Sequence, residues 1–266
     1  MKFDVQGRGT YAYTGGRPWG EAKSCVVFIH GALNDHSVWT LLARWYAHHG
    51  YRVLALDQPG HGRSDGPPLA SVEALADWVL ALLDAAGVAS AHLVGHSMGS
   101  LIALEAASRA PERVAGLVMV GTAYPMKVSD TLLGTARDDP ARAIAMVNAF
   151  SHSGLASKPS YPGPGAWLRG GSSALMHRIQ ESAEGNLFEH DFRVCDAYAN
   201  GLEAAARVAC PAHLVVGTRD AMTPPKATKE LAGALRATVS RIVSGHALMQ
   251  EAPDAVLNAV RQAIPA

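Results

Sequence analysis

An α/β fold, a three-layer sandwich on a mostly parallel sheet, is predicted by three observations. Apolar runs of strand length recur at intervals that leave room for a helix between them. Several of those runs carry apolar residues on both faces, as strands buried between two helical layers require. Their succession, strand then helix then strand, implies right-handed crossover units.

In chain order, residues 1–16 read as an antiparallel hairpin at the sheet edge, with Gly15 and Gly16 as the turn out of it. CVVFIH (25–30) is the first buried strand, and a helix is expected over 36–49. YRVLALD (51–57) and a helix over 71–86 follow. AHLVGH (91–96) runs directly into a helix over 98–109, and VAGLVMVG (114–121) is the next strand. The closing elements are AHLVVGT (212–218), a helix over 226–236, VSRIVSG (239–245) and a helix over 250–263. Between Gly121 and Cys210 the rhythm fails, because the interval is about twice what one crossover needs. It holds helical patterns near 138–150, 172–185 and 191–208, and the Gly/Pro-rich passage PSYPGPGAWLRGG (159–171). Residues 124–190 are therefore read as a helical cap inserted into a core domain made of 1–123 and 191–266.

The totals narrow the function classes. A chain of 266 residues with 48% hydrophobic and 17% charged residues can close a large core. Its 23 basic and 23 acidic residues cancel without a basic stripe, which argues against nucleic acid and anionic membrane as partners. Asp4, Gln6 and Arg8 break the N-terminal run, so no signal peptide is expected, and no stretch approaches the roughly 18 apolar residues of a membrane span. Cys25, Cys195 and Cys210 are odd in number and far apart, which reads as buried thiols in a reducing cytoplasm.

The most specific signal is Gly95-His96-Ser97-Met98-Gly99, placed between a buried strand and a helix. A turn that sharp forces strained backbone angles on the serine, and side chains at Gly95 and Gly99 would collide with neighbouring backbone. Ser97 then projects above the sheet. The Met98 N–H lies at a helix N-terminus, where developing negative charge is stabilised. A serine that merely caps a tight turn is the bland alternative.

A hydroxyl needs a base to take its proton, and the base needs a third group to fix its tautomer. HLVVGTRD places Asp220 just past one strand, and RIVSGH places His246 just past the next. Both loops fall at the sheet end where Ser97 sits. Asp220 could instead cap the helix after its TPP sequence. Among competing histidines, His92 and His213 lie inside strands, and His96 points the wrong way for a base. His30 and His61 belong to loops after early strands.

The chain resembles the α/β-hydrolase superfamily in its cap-bearing, esterase/lipase-like branch. The resemblance rests on FIHGALNDHSVW (28–39), DQPGHGRSD (57–65), GHSMG (95–99), GTRD (217–220) and SGHALMQEAP (244–253), in the family's order. It implies an eight-stranded, mostly parallel sheet with the cap after the sixth strand. It also implies that the N–H of Ala32 joins that of Met98 as an oxyanion hole, with Leu33 the weaker candidate. Asp57, His61 and Arg63 read as loop ties.

The expected reaction is hydrolysis of small to moderate, mainly uncharged esters by a Ser97–His246–Asp220 triad, with water as second substrate and no cofactor. No HExxH, CxxC or phosphate-binding glycine loop is present, so no metal or nucleotide is expected. C–C bond or thioester hydrolysis, cofactor-free perhydrolysis and a non-catalytic binding role use the same residues and stay open. Ala32-Leu33 departs from the Ser-Gly that C–C hydrolases carry after the HG pair. Cap residues such as Met126, Met146 and Phe150, with Leu248 and Met249 after the base, are candidates for the pocket wall. Arg137, Arg142, Lys158, Arg169 and Arg178 read as solvated. The sequence leaves monomer and homodimer open.

Overall fold

Alternation within the buried strands determines how the layers stack. The computed structural model describes residues 1–20, 24–154 and 167–265. The strands are β1 (Lys2–Val5), β2 (Arg8–Tyr13), β3 (Cys25–Ile29), β4 (Arg52–Leu56), β5 (Ala91–His96), β6 (Val114–Val120), β7 (Ala212–Gly217) and β8 (Thr238–Ile242). They form one eight-stranded sheet in the order β1-β2-β4-β3-β5-β6-β7-β8. The β1–β2 and β2–β4 pairs are antiparallel and every other pair is parallel. The N-terminal hairpin turns at Gln6-Gly7, where both φ values are positive.

The helices are α1 (Thr40–His48), α2 (Val72–Ala85), α3 (Met98–Arg109), α4 (Asp130–Asp138), α5 (Pro140–Ser151), α6 (Leu168–Ser182), α7 (Leu187–Ala197), α8 (Gly201–Arg207), α9 (Lys229–Ala234), α10 (Leu248–Glu251) and α11 (Pro253–Ala263). Cys25, Val27, Ile29, Leu54, Leu56 and Leu93 point into one core, shared with α2, α3 and α8. Val26, Phe28, Val53, Ala55 and Val94 point into the other, shared with α1 and α11. Period-two strands thus supply both cores at once. Burial of each large side chain there contributes roughly 1.5–3 kcal/mol. Trp39 and Trp78 belong to these cores, and Trp39 lies 5.2 Å from Phe28, ring to ring.

The cap is inserted after β6. Its helices differ from expectation in detail. α4 was not foreseen, because TLLGTARD is mostly polar and holds a central glycine. The helix expected over 191–208 is two, broken at Tyr198-Ala199-Asn200. The position expected to end the cap, residue 190, lies inside α7. The helix expected over 250–263 is likewise divided before Pro253, whose missing N–H cannot continue the α10 ladder. Residues 159–166 of the Gly/Pro passage, and Lys158, lie outside the described residues. Arg178 is not simply solvated, since its Nη2 donates to the buried Asp35 carboxylate at 2.8 Å and ties α6 to the core. Among the described residues no helix is long and apolar enough to cross a membrane. All three cysteines are free thiols, with Cys210 only half-buried.

Candidate active site

The parallel strands β3, β5, β7 and β8 end at the same edge of the sheet, so the loops that follow them meet there. Between β5 and α3 the chain turns at Ser97, with φ 51° and ψ −121°, a region costly for any side-chain-bearing residue. A Cβ on Gly95 would stand 2.1 Å from the Gly99 carbonyl oxygen, and one on Gly99 would stand 2.3 Å from that of Ile29. No other residue fits either position. Ser97 occupies the N-cap of α3, yet its hydroxyl makes no capping bond. The Ser100 N–H and hydroxyl instead bond the Ser97 carbonyl. The capping alternative for Ser97 therefore fails, and the hydroxyl is left for the cavity that Ser97 lines.

Asp220 and His246 are brought together by the β7 and β8 loops. His246 Nδ1–H donates to Asp220 Oδ2 at 2.8 Å, which leaves Nε2 of the neutral ring as an acceptor. The carboxylate is held on every side. Its Oδ1 accepts the N–H groups of Met222 and Thr223, each at 2.8 Å, and its Oδ2 also accepts the Thr223 hydroxyl at 2.7 Å. Burial favours the neutral acid, but His246 and the Thr223 bonds outweigh it and hold the Asp220 pKa below the ordinary value. Asp220 does not cap the helix after the TPP sequence, whose N-cap is Pro224 without a side-chain bond; its Oδ1 closes the turn at 220–223 while its Oδ2 faces His246.

His96 does not compete as a base. Its Nε2 faces the backbone carbonyl of His246 at 2.9 Å, and a carbonyl can only accept, so Nε2 carries the proton. Burial and the neighbouring His246 lower its pKa to about 3, so it stays neutral. Other ties reach the same loop. The Gly245 N–H donates to Glu251 at 3.2 Å, and the Ala247 N–H donates to the Ser151 carbonyl at the end of α5.

Opposite Ser97 lies the loop after β3. His30 Nδ1–H donates to the Gly31 carbonyl at 2.8 Å, while its Nε2 accepts the Gln58 N–H at 3.1 Å. In a trans peptide the C=O and N–H point in opposite directions. The bond to Gly31 therefore turns the Ala32 N–H away from His30, and both Gly31 and Ala32 line the cavity. The Leu33 N–H is not available, because it donates to Asp191 at 2.8 Å. Burial and the nearby His61 lower the His30 pKa to about 4.

The cavity encloses about 310 Å³ between this sheet edge and the cap. Met126, Met146, Val147, Phe150, Met176 and Phe192 give it apolar walls. Met249 contributes as expected, whereas Leu248 packs wholly into the core. Among the described lining residues the one lysine, Lys127, bonds the Asp196 carbonyl at 2.6 Å, and no carboxylate lines the space. Asp35, His36 and Asp57 offer donor atoms within 4.8 Å of one another, as metal ligands would. Those donors are engaged by protein groups. Asp57 accepts from His36 and from the Arg63 N–H, and Asp35 accepts from Arg178 and the Ser37 N–H. His49, next to His48 at the end of α1, stacks on Trp45 and bonds its carbonyl.

Thr223, Glu251 and Asp191 were not foreseen as site residues. Thr223 follows Asp220 by three residues, the spacing of an Asp-capped turn, and could have been read from it. Asp191 has no comparable local signal.

A strained serine at a strand-to-helix turn, with loops carrying the Asp–His pair at the same sheet edge, places the molecule in the α/β-hydrolase fold class. The family model described as alpha/beta hydrolase fold matches residues 25–253, and the chain belongs to that family. It is similar to the pimeloyl-[acyl-carrier protein] methyl ester esterase of Chromobacterium violaceum, 34% identical over 217 residues that cover 79% of this chain and 81% of the relative. It is also 40% identical over 110 residues to the dihydrolipoyllysine-residue acetyltransferase component of the acetoin cleaving system of Pseudomonas putida. That match covers 39% of this chain but only 28% of the relative's length. The enol-lactonase of Burkholderia xenovorans LB400 superposes with a TM-score of 0.80 over 98% of both chains at 22% identity, a likeness of fold.

Proposed function

We propose that the protein is a serine hydrolase that cleaves carboxylic esters of small to moderate, mainly uncharged substrates. Ser97 is the nucleophile, His246 the base and Asp220 its orienting acid. The observation that carries this reading is the His246 Nδ1–Asp220 Oδ2 bond of 2.8 Å, on loops that border the cavity lined by Ser97. That bond selects the tautomer whose Nε2 can accept a proton. The relative from Chromobacterium violaceum, named as a methyl ester esterase, supports a C–O bond as the one cleaved.

In the proposed reaction Ser97 Oγ attacks the ester carbonyl carbon while its proton passes to His246 Nε2. The carbonyl oxygen becomes an oxyanion bound by the N–H groups of Ala32 and Met98, at the positive end of α3. Collapse breaks the C–O bond, and His246 delivers its proton to the departing alkoxide. A water then gives a proton to His246 and its oxygen to the acyl carbon, and the acid leaves as Ser97 recovers its hydrogen. Apolar walls and a lysine already paired favour an uncharged acyl group.

Turnover of p-nitrophenyl esters of graded acyl length, beside a thioester and a vinylogous diketone, tests the assignment. Short to medium esters should be the best substrates, with turnover absent in S97A and H246A. A thioester or diketone preferred by more than about a hundredfold in kcat/KM, roughly 2.7 kcal/mol of transition-state discrimination, would overturn the ester assignment.

A further inference from the structure

The oxyanion loop is held by a carboxylate from outside the core strands. Asp191 lies in α7, buried to within 2% exposure, far along the chain from the loop after β3. Its Oδ2 accepts the Leu33 N–H at 2.8 Å and faces His61 Nε2 at 2.9 Å. His61 Nδ1 faces the Pro59 carbonyl at 3.1 Å. Both ring nitrogens thus address acceptors, and a ring that donates from both is an imidazolium paired with the Asp191 carboxylate. Burial opposes that charge, but Asp191 and the Pro59 bond outweigh it and raise the His61 pKa.

What Asp191 grips is one peptide unit. The Leu33 N–H and the Ala32 carbonyl belong to the same plane, and the carbonyl accepts the Asn34 side-chain amide at 2.9 Å. That plane is therefore fixed at both edges. Leu33 has φ 51°, a left-handed conformation that a leucine does not adopt without support. The adjoining peptide, fixed by His30 through the Gly31 carbonyl, carries the Ala32 N–H. If the 32–33 plane rotates, the Ala32 N–H loses its aim.

We propose that Asp191 is the positioning residue of the oxyanion loop, holding the Leu33 N–H so that the Ala32 N–H faces the reacting carbonyl oxygen. This rests on the serine-hydrolase reading and deepens it. Helix α7, which spans the expected end of the cap, is thereby a working part of charge stabilisation as well as a cover. Asp191 touches no substrate and acts through the backbone.

The test compares wild type with D191A and D191N. Asparagine can keep both bonds, because its Oδ1, set in the place of Oδ2, accepts the Leu33 N–H and also the Nε2–H of a neutral His61. Removing one oxyanion donor costs about 10²–10³ in kcat elsewhere. D191A should accordingly lose about a hundredfold in kcat on p-nitrophenyl butyrate, with KM changed less than about threefold. Its affinity for an alkylboronic acid, whose tetrahedral adduct on Ser97 places an oxygen in the hole, should fall by a similar factor. D191N should recover most of both. A D191A enzyme with native kcat and boronate affinity, or a D191N as impaired as D191A, overturns the proposal. Should D191A not fold, amide exchange at Leu33 in the unaltered protein decides it. Strong protection is expected, and exchange as fast as that of exposed loop amides contradicts it. Loss of the hydrolase reading would show separately, as a wild type that neither turns over esters nor binds the boronate.

Discussion

His96 Nε2 donates to the backbone carbonyl of His246 at 2.9 Å, so the residue before Ser97 holds the loop that carries the proposed base. The elbow and the base loop are consequently positioned against each other by a direct bond as well as by the sheet. Replacement of His96 by alanine removes that donor and leaves a buried carbonyl unpaired, a loss of about 1–3 kcal/mol. H96A should lower both Tm and kcat, the latter by about tenfold, whereas H96Q, which retains a side-chain N–H donor, should recover part of each. Unchanged steady-state kinetics in H96A would show that the sheet alone positions His246.

The Asp220 carboxylate is predicted to matter far more than the hydroxyl beside it. D220N should stay folded and lose about 10⁴ in kcat, the scale known for a triad whose histidine takes the wrong tautomer. T223V removes one of four bonds to the carboxylate and leaves the two backbone donors in place. It should cost about tenfold or less. A T223V loss as large as that of D220N would mean that the threonine, and not the aspartate, orients the ring.

Stability should depend on alkaline pH through His61. Its folded-state pKa is raised above the ordinary imidazole value of about 6.5, chiefly against burial by the Asp191 carboxylate. A raised value means that the folded state binds the proton more tightly than the unfolded chain. The stabilisation is then complete below pH about 6.5 and is lost as pH rises through the raised folded value. Buried His30, 5.0 Å away ring to ring, is held neutral and does not share the charge. The Tm difference between wild type and H61Q should therefore shrink on going from pH 6 to pH 9. A difference that is constant over this range would place the proton elsewhere.

The elbow glycines should tolerate no side chain. With a Cβ placed 2.1 Å from the Gly99 carbonyl oxygen, G95A cannot be accommodated without moving α3 away from β5. The expected cost exceeds about 4 kcal/mol, the range of severe backbone clashes. Soluble expression and thermal melting would report it, and a G95A protein with native Tm would refute the close approach.

How much of this was legible in the sequence follows from the range of each interaction. The β3–β7 strands were readable because apolar residues fill most of both faces, and a run such as CVVFI admits little else, whereas β8, TVSRI, is a mostly exposed edge strand with a weaker signal. Ser97, Asp220 and His246 were readable because strand ends carry them, so the topology that brings strands together brings the residues together. The proposed oxyanion role of Ala32 came through family resemblance, and the bond that engages the Leu33 N–H is a structural observation. Asp191 was not legible. It looks like any polar residue on a helix outside the sheet, and its partners Leu33 and His61 lie 158 and 130 residues away. α4 was missed for a local reason, since its apolar face is only two leucines and an alanine wide. The α4 segment of the cap thus carried little periodic signal, whereas the helical patterns of α5 and α6 were legible.

The central claim is that Ser97 attacks and becomes covalently acylated. Its most direct test is intact-protein and peptide mass spectrometry after treatment with an active-site-directed fluorophosphonate. The account predicts one label per chain, located on Ser97, absent in S97A and strongly slowed in H246A. A label on another residue, or labelling of S97A at the wild-type rate, would contradict it.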